Sequence, residues 1–87
     1  MNLTFSAEAW DQYLFWQATD TRTLRKINAL IRECQRTPFV GTGQPEALRG
    51  NLSGLWSRRI DLKHRLVYRV TPTAIEVLQC RFHYGDK

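Results

Sequence analysis

Residues 55–82, LWSRRIDLKHRLVYRVTPTAIEVLQCRF, alternate apolar and polar side chains with a period of two over most of their length. That period is typical of β-strands, whose successive side chains point to opposite faces of a sheet. Turn-forming residues interrupt it twice, at residues 61–63 and at residues 71–73. Short turns between alternating runs predict an antiparallel meander of three strands.

The same alternation assigns the strand residues to two faces of the predicted sheet. In the last run, residues 74–82, it places Ile75 and Val77 on one face and Cys80 and Phe82 on the other. Arginine recurs along all three runs, and one interpretation is that it occupies outward positions that prevent aggregation of the strands. These residues are Arg58, Arg59, Arg65, Arg69 and Arg81.

A strand and a helix are predicted at the N-terminal end. An alternating run at residues 2–6 predicts the strand, and Ser6 is a good N-cap for a helix that extends to about Ala18. Apolar residues at helical spacing predict that one aromatic face of this helix packs inward. That face consists of Trp10, Tyr13, Leu14 and Gln17.

A second helix is predicted next, because residues 19–21 interrupt the first pattern and can cap a new helix that reaches about Arg36. Its apolar positions recur at helical spacing, and basic residues occupy its other faces. The apolar set is Leu24, Ile27, Leu30, Ile31 and Cys34. The resulting order β-α-α-β-β-β predicts an α+β fold, in which a helical hairpin packs on one face of a small twisted sheet.

A segment rich in turn-forming residues connects the helices to the meander. Residues 38–54 contain two prolines and four glycines. This composition predicts a long shaped loop, with one helical turn at residues 46–49. Long loops in small domains often carry function, so Glu46 is a candidate functional carboxylate. The alternative is that Glu46 is an ordinary solvated carboxylate.

The charge distribution favours a polyanionic partner. The chain carries a net charge of +5, and ten of its thirteen cations are arginine. Residues 1–20 hold three carboxylates and no cation, so residues 21–87 carry +8. Arginine pairs with phosphate through two parallel hydrogen bonds, which favours nucleic acid as the partner. The alternative is a protein whose surface is simply basic.

Length and composition limit the number of domains, the cellular location and the kinds of site that the chain can have. A chain of 87 residues fits a single domain, residues 1–87. Its longest apolar runs are far shorter than the roughly 20 residues that span a bilayer, so we expect a cytoplasmic protein without membrane association. Cys34 and Cys80 are far apart and lack the spacing of metal ligands. We therefore expect two buried, reduced thiols, with a disulfide between them as the alternative, and no metal or cofactor.

Motifs that occur in order from about residue 1 to Tyr84 together resemble one family. They include Trp10-Asp11, Lys26-Ile27-Asn28, Thr37-Pro38-Phe39, Pro45-Glu46, Asn51-Leu52-Ser53-Gly54, Trp56-Ser57-Arg58-Arg59-Ile60, His64-Arg65-Leu66-Val67-Tyr68, Cys80-Arg81 and His83-Tyr84. In this order they resemble the YoeB-type toxins, a branch of the RelE/ParE superfamily. Because many separated motifs agree over nearly the whole chain, chance is a poor explanation.

The resemblance implies the toxin of a type II toxin-antitoxin system, with a RelE-like fold. It further implies an endoribonuclease that cleaves mRNA in the ribosomal A site without a metal ion, and so inhibits translation. In that family the residues matching Glu46, Arg65 and His83 serve as general base, phosphate stabiliser and general acid. The implied substrate-binding residues are Arg49, Arg59 and Tyr84.

The resemblance also implies a set of partners. These are an antitoxin of the YefM type, the ribosome with its ribosomal RNA, the mRNA substrate and a second copy of the chain in a homodimer. Operator DNA is an indirect partner, contacted through the antitoxin complex.

Four features depart from the family's usual pattern, and two of them are Gly50 and Phe5, which stand where relatives often carry larger or different side chains. Arg49 stands where relatives usually carry lysine, which keeps the charge but changes the geometry of its donors. Residues 85–87 extend the chain past the tyrosine at which relatives usually stop.

Two other functions remain as alternatives. A toxin of the ParE branch acts on DNA gyrase, but that branch lacks the glutamate and histidine pair that Glu46 and His83 provide here. A non-catalytic basic module would bind RNA or ribosomes and leave the RNA intact.

Overall fold

The structure of the protein, a computed structural model, describes residues 1–83. Its helices and strands follow the predicted order, with one additional short strand before the meander. The elements are β1 (Asn2–Phe5), α1 (Ala7–Thr19), α2 (Thr21–Arg36), β2 (Glu46–Ala47), a 3-10 turn (Gly50–Leu52), β3 (Trp56–Arg59), β4 (Arg65–Val70) and β5 (Ala74–Gln79). The predicted α+β class is confirmed.

The five strands form one mixed sheet in the order β1-β5-β4-β3-β2. β1 is parallel to β5, and the other neighbouring pairs are antiparallel. The predicted meander is therefore confirmed as β3-β4-β5. Both helices contact β5, and the hydrophobic core lies between the helical hairpin and one face of the sheet. The opposite face is left to carry polar side chains.

The inward face of α1 differs from the prediction. The predicted set of Trp10, Tyr13, Leu14 and Gln17 is exposed or only half-buried. Ala9, Gln12 and Trp16 are buried instead. Trp10, which is 48% exposed, stacks on Tyr13 at the edge of the sheet with ring centroids 5.6 Å apart. The prediction was wrong because it followed the spacing of aromatic residues, which left out Gln12, whose side chain accepts a hydrogen bond from the buried Cys80 N–H.

The second helix agrees with its prediction. Ile27, Leu30, Ile31 and Cys34 are buried, and Leu24 is half-buried against the core. The helix begins after Asp20, whose carboxylate accepts hydrogen bonds from the Thr23 backbone N–H at 3.1 Å and from the Thr23 hydroxyl at 2.8 Å. These bonds favour the ionised form and lower the pKa of Asp20.

A register shift between β4 and β5 overturns the predicted alternation of residues 74–82. Val67 pairs with Gln79 and its neighbour Tyr68 pairs with Val77, so Leu78 is an extra residue on β5. A bulge of this kind changes the face on which later side chains lie. Cys80 therefore joins Val77 in the core, and β5 ends at Gln79 rather than continuing to Phe82.

Both cysteines are buried, and neither forms a disulfide, as predicted. Burial raises the pKa of the Cys80 thiol to about 12, so this thiol is inert at neutral pH. Within residues 1–83, no helix is long and apolar enough to cross a membrane.

Candidate active site

The register of the sheet gathers three predicted site residues on the face opposite the helices. Glu46 pairs with Ser57, and Arg59 pairs with Arg65. Directly paired residues share a face, as do residues two apart on one strand. Glu46, Arg59 and Arg65 therefore project from the same face. Arg58 projects from the other face, toward α2.

Glu46 lies on an edge strand and not in the predicted helical turn. β2 pairs with β3, and the Leu48 N–H extends this pairing by donating to the Leu55 carbonyl at 2.9 Å. The only helical turn in this segment comes later, at Gly50–Leu52. The prediction failed because two residues of strand pairing leave no periodic signal in the sequence.

The exposed side chains of Glu46 and Arg49 line one open pocket of about 280 Å³. The remaining lining residues are Ala47, Leu48 and Leu52. A carboxylate and a guanidinium thus share a concave surface that is large enough for part of a nucleotide. Arg49 and Glu46 thus line the same pocket. Among the described residues, no ion pair joins the two side chains.

The loop before Glu46 is fastened by Arg58, whose side chain is fully buried. Its Nη1 donates to a Glu33 carboxylate oxygen at 2.7 Å and to the Thr42 carbonyl at 3.2 Å. Its Nη2 donates to the carbonyls of Thr37 and Val40. The guanidinium therefore ties residues 37–42 to the sheet. The interpretation of Arg58 as an outward strand position is wrong.

Neighbouring groups complete this fastening. Arg58 Nε donates to the Tyr68 hydroxyl at 3.2 Å, and that hydroxyl donates to the Pro38 carbonyl at 2.7 Å. Burial raises the pKa of Tyr68 to about 12, so the phenol keeps its proton. The Thr42 N–H donates to Glu33 and, with Arg58, lowers the pKa of this carboxyl. Glu33 is therefore ionised and Tyr68 protonated, which are the states that their contacts with Arg58 require.

Two glycines allow the loop to lie this close. Gly41 has φ of +122°, and a side chain there would collide with the Glu33 carboxylate. Gly43 has φ of +87°, and its carbonyl accepts a hydrogen bond from the Arg59 N–H at 2.7 Å. These are conformations that side-chain-bearing residues rarely adopt. The path of the loop into β2, and hence the place of Glu46, depends on them.

Arg65 is held by the turn between β3 and β4. Its Nη1 donates to the Asp61 carbonyl at 2.8 Å and to the His64 carbonyl at 3.1 Å. Both bonds use Nη1, so the Nε–Nη2 edge of the guanidinium makes no hydrogen bond within residues 1–83 and remains for a ligand. Arg65 is only 9% exposed, and a guanidinium fixed by backbone carbonyls is preorganised to bind an anion.

The turn itself is stabilised by the Asp61 carboxylate. Its Oδ1 accepts the backbone N–H groups of Lys63 at 2.8 Å and His64 at 2.6 Å. Burial opposes ionisation of Asp61, but these hydrogen bonds outweigh it and lower its pKa. The turn is therefore closed by a charged acceptor at neutral pH.

After β5 the chain forms a tail, residues 80–83, that α1 and β4 clamp. The Cys80 N–H donates to Gln12 Oε1 at 2.7 Å, and Trp16 Nε1 donates to the Cys80 carbonyl at 2.8 Å. The Phe82 carbonyl accepts the Arg65 backbone N–H at 2.9 Å. His83, the next residue, is half-buried and directly follows the residue that bonds to the Arg65 backbone. The predicted residue Tyr84 lies outside the described residues.

Arg81 does not occupy the outward strand position that the sequence suggested for it. Its guanidinium lies between two aromatic rings, 3.5 Å from the centroid of Phe15 and 4.6 Å from that of Phe82. Its Nε is buried and has no hydrogen-bond partner within residues 1–83. The contact is therefore a cation–π stack that fixes the tail against α1.

Sequence reasoning missed the supporting residues of the site. Arg58 alternates with Trp56 and Ile60, which was a signal that it lies on the apolar face. No pattern in the sequence indicated that Gln12 and His64 bind the tail, because those contacts depend on where β5 ends. Within residues 1–83, no group of three or more His, Cys, Asp or Glu side chains is arranged to hold a metal ion.

Comparisons with known proteins agree on one family. The family model described as the YoeB-like toxin of bacterial type II toxin-antitoxin systems matches residues 5–84. Toxin YoeB of Escherichia coli K12 is 56% identical over 84 residues, which cover 97% of this chain and 100% of that protein.

Solved structures give the same result. A YoeB/ParE toxin from Agrobacterium tumefaciens superposes with a TM-score of 0.94 at 55% identity, covering 97% of this chain and 100% of that one. A YoeB dimer from Staphylococcus aureus gives 0.90 at 41% identity, and a heterotetrameric YoeB-YefM toxin-antitoxin complex from the same organism gives 0.89 at 41%. Each of these two covers 97% of this chain and 98% of its own.

Proposed function

This chain belongs to the family of YoeB-like toxins of bacterial type II toxin-antitoxin systems, and on that premise we propose that it is a metal-independent endoribonuclease. It cuts mRNA in the A site of the ribosome and thereby stops translation. One observation supports the proposal: Glu46, Arg59 and Arg65 share a sheet face, and the Phe82 carbonyl, one residue before His83, accepts the Arg65 backbone N–H.

The reaction uses the 2′-hydroxyl of the substrate as its nucleophile. Glu46 accepts the proton of this hydroxyl while its oxygen attacks the adjacent phosphorus. The bond from phosphorus to the 5′-oxygen then breaks, and His83 donates a proton to the departing oxygen. The products are a 2′,3′-cyclic phosphate and a free 5′-hydroxyl. One proton is taken and one is given, so no metal-bound water is required.

Arginines stabilise the charge that gathers on the phosphoryl oxygens. Arg65 offers the open edge of a guanidinium that the turn already holds, and Arg59 lies directly opposite it on β3. Bonds that strengthen as charge develops lower the barrier, whereas uniform binding does not. Arg49 binds the substrate in the pocket beside Glu46. Tyr84 offers a ring on which an unstacked base can rest.

The alternative of a non-catalytic binding module has one observation in its favour. Basic side chains on the exposed faces of α2, namely Arg22, Arg25, Lys26, Arg32 and Arg36, form a surface that would suit ribosomal RNA without any chemistry. This alternative gives no role to the Glu46 carboxylate, on the sheet face opposite the helices, or to the His83 imidazole.

A short pulse of expression in growing bacteria separates the two functions. We expect new mRNA 5′ ends inside translated reading frames, and none when translation initiation is blocked. The matched control is Glu46→Gln, which should bind ribosomes and produce no new ends. Ribosome binding by the unaltered chain without new 5′ ends would favour the binding module and contradict cleavage.

The proposed partners follow from the relatives. The Staphylococcus relatives include a YoeB dimer and a YoeB-YefM complex, and we propose that this chain likewise forms a homodimer and binds a YefM-type antitoxin. Operator DNA is contacted through that antitoxin complex. An acidic antitoxin segment, disordered when free, can fold onto the basic face and cover the site.

Hydrogen exchange on the complex tests this mode of inhibition. Because the segment must cover Arg59, Arg65 and the groups between them, we expect added protection along residues 45–69 and 81–84 when antitoxin binds. Free toxin at the same pH is the reference. Protection limited to α1 and α2 would contradict it and place the antitoxin on the helical side.

A further inference from the structure

The His64 imidazole is part of the framework behind the site, and the proposed reaction gives it no role. Its Nδ1 accepts a hydrogen bond from the Phe82 backbone N–H at 2.7 Å. Its ring meets the Trp16 ring edge-on, with centroids 4.9 Å apart. The ring thus joins the β3–β4 turn to both α1 and the tail.

The residue that His64 binds has an uncommon backbone conformation. Phe82 has φ of +68°, in the left-handed region that residues with side chains rarely adopt. Such a conformation persists only where surrounding contacts impose it. The Phe82 carbonyl is held by the Arg65 backbone N–H and by Gln79 Nε2 at 3.1 Å. The N–H of Phe82 is held by His64.

We propose that His64 is a positioning residue that fixes Phe82 and thereby sets the direction in which His83 leaves the tail. The inference rests on the proposed ribonuclease function, in which His83 is the general acid. His64 touches neither substrate nor reacting atoms. It acts through one backbone hydrogen bond, one residue before the acid.

The role requires a neutral His64 ring, because a protonated Nδ1 would point a hydrogen at the Phe82 N–H. Burial lowers the pKa of His64. Asp61 opposes this shift, whereas Lys63, Arg81 and Arg65 reinforce it. These groups come from the turn, β4 and the tail, and α1 contributes the uncharged Trp16 ring. The proton of the neutral ring therefore sits on Nε2.

Two substitutions separate the acceptor from the ring. His64→Asn places an amide oxygen near the former Nδ1 and can still accept the Phe82 N–H. His64→Leu keeps apolar bulk against Trp16 and removes the acceptor. Leu62→Gln is the matched control, because it alters a side chain of the same turn that is 96% exposed.

Exchange of the Phe82 amide hydrogen gives a readout that does not depend on activity. We expect this amide to exchange at least about tenfold faster in His64→Leu than in the unaltered protein, His64→Asn or Leu62→Gln. Single-turnover cleavage at saturating ribosomes should fall about 10- to 100-fold in His64→Leu, since small misplacements of a catalytic group can cost that much. His64→Asn should remain within about threefold, and the half-saturating ribosome concentration should not change.

The pH dependence distinguishes positioning from a merely structural role. As pH falls below about 6.5, the reference value of histidine, the unaltered protein should lose Phe82 protection and cleavage together. His64→Asn, which has no titrating ring, should retain both to lower pH. Identical acid limbs in the two proteins would overturn the proposal, as would a His64→Leu variant with normal cleavage. Absence of cleavage by the unaltered protein would instead overturn the ribonuclease function itself.

Discussion

Replacing Glu46 with Gln, or His83 with Gln, should lower single-turnover cleavage of ribosome-bound mRNA by about 10² to 10⁴-fold, the usual contribution of a positioned acid or base. Each change keeps the size of the side chain and removes its proton transfer. Glu46 is exposed on an edge strand and makes no hydrogen bond through its side chain within residues 1–83, so its replacement leaves the fold intact. Ribosome binding should change by no more than a few-fold.

Asp11→Asn is the matched control for this measurement, because it neutralises an exposed carboxylate on the helical side of the molecule. It should cleave at the unaltered rate. The double variant of Glu46 and His83 should be little slower than the worse single variant, since the two groups act in one transition state. A loss below about tenfold in both single variants would remove the assigned roles.

The fold could be predicted where the pattern is long and has one interpretation. α2 is sixteen residues long, its apolar residues recur at helical spacing, and the residues that are buried agree with the prediction. The three strands of the meander are each bounded by turn-forming residues, and they pair in chain order. In these elements local propensity and tertiary packing favour the same structure.

The prediction failed where tertiary contacts decide. On α1 the apolar spacing pointed to Trp10, but Gln12 is inside because the backbone of Cys80 requires a buried acceptor. On β5 one extra residue, Leu78, changes the face of everything after it. A one-residue shift of this kind has no signature in an alternating sequence.

Only part of the candidate site could be predicted from the sequence, for the same reason. The resemblance implied Glu46, Arg65 and His83, but the sheet face that carries Glu46 and Arg65 depends on strand register, and the backbone contact that precedes His83 depends on where β5 ends. The supporting groups, Arg58 and His64, are polar residues whose partners are backbone atoms of distant segments. Pattern analysis identifies side chains that face a core, not those that hold a loop.

Arg58→Met should lower the free energy of unfolding by about 3 to 5 kcal/mol, because it leaves buried partners without a donor. The guanidinium is wholly buried and serves Glu33, the Tyr68 hydroxyl and three loop carbonyls. Methionine fills part of the volume and supplies none of those bonds. Urea denaturation measures the difference, with cleavage falling as well because the loop into β2 is released.

Arg69→Met provides the comparison for this prediction, since Arg69 also lies on a strand and pairs with a carboxylate at the same 2.7 Å, that of Glu76. Its side chain is 53% exposed, and exposed ion pairs contribute about 0 to 1 kcal/mol. The two arginines thus differ in burial and in the number of backbone carbonyls they hold. Equal destabilisation by the two substitutions would contradict the conclusion that Arg58 fastens the loop before Glu46. A much larger loss of unfolding free energy in Arg58→Met would show that the contacts that position the candidate base also stabilise the fold.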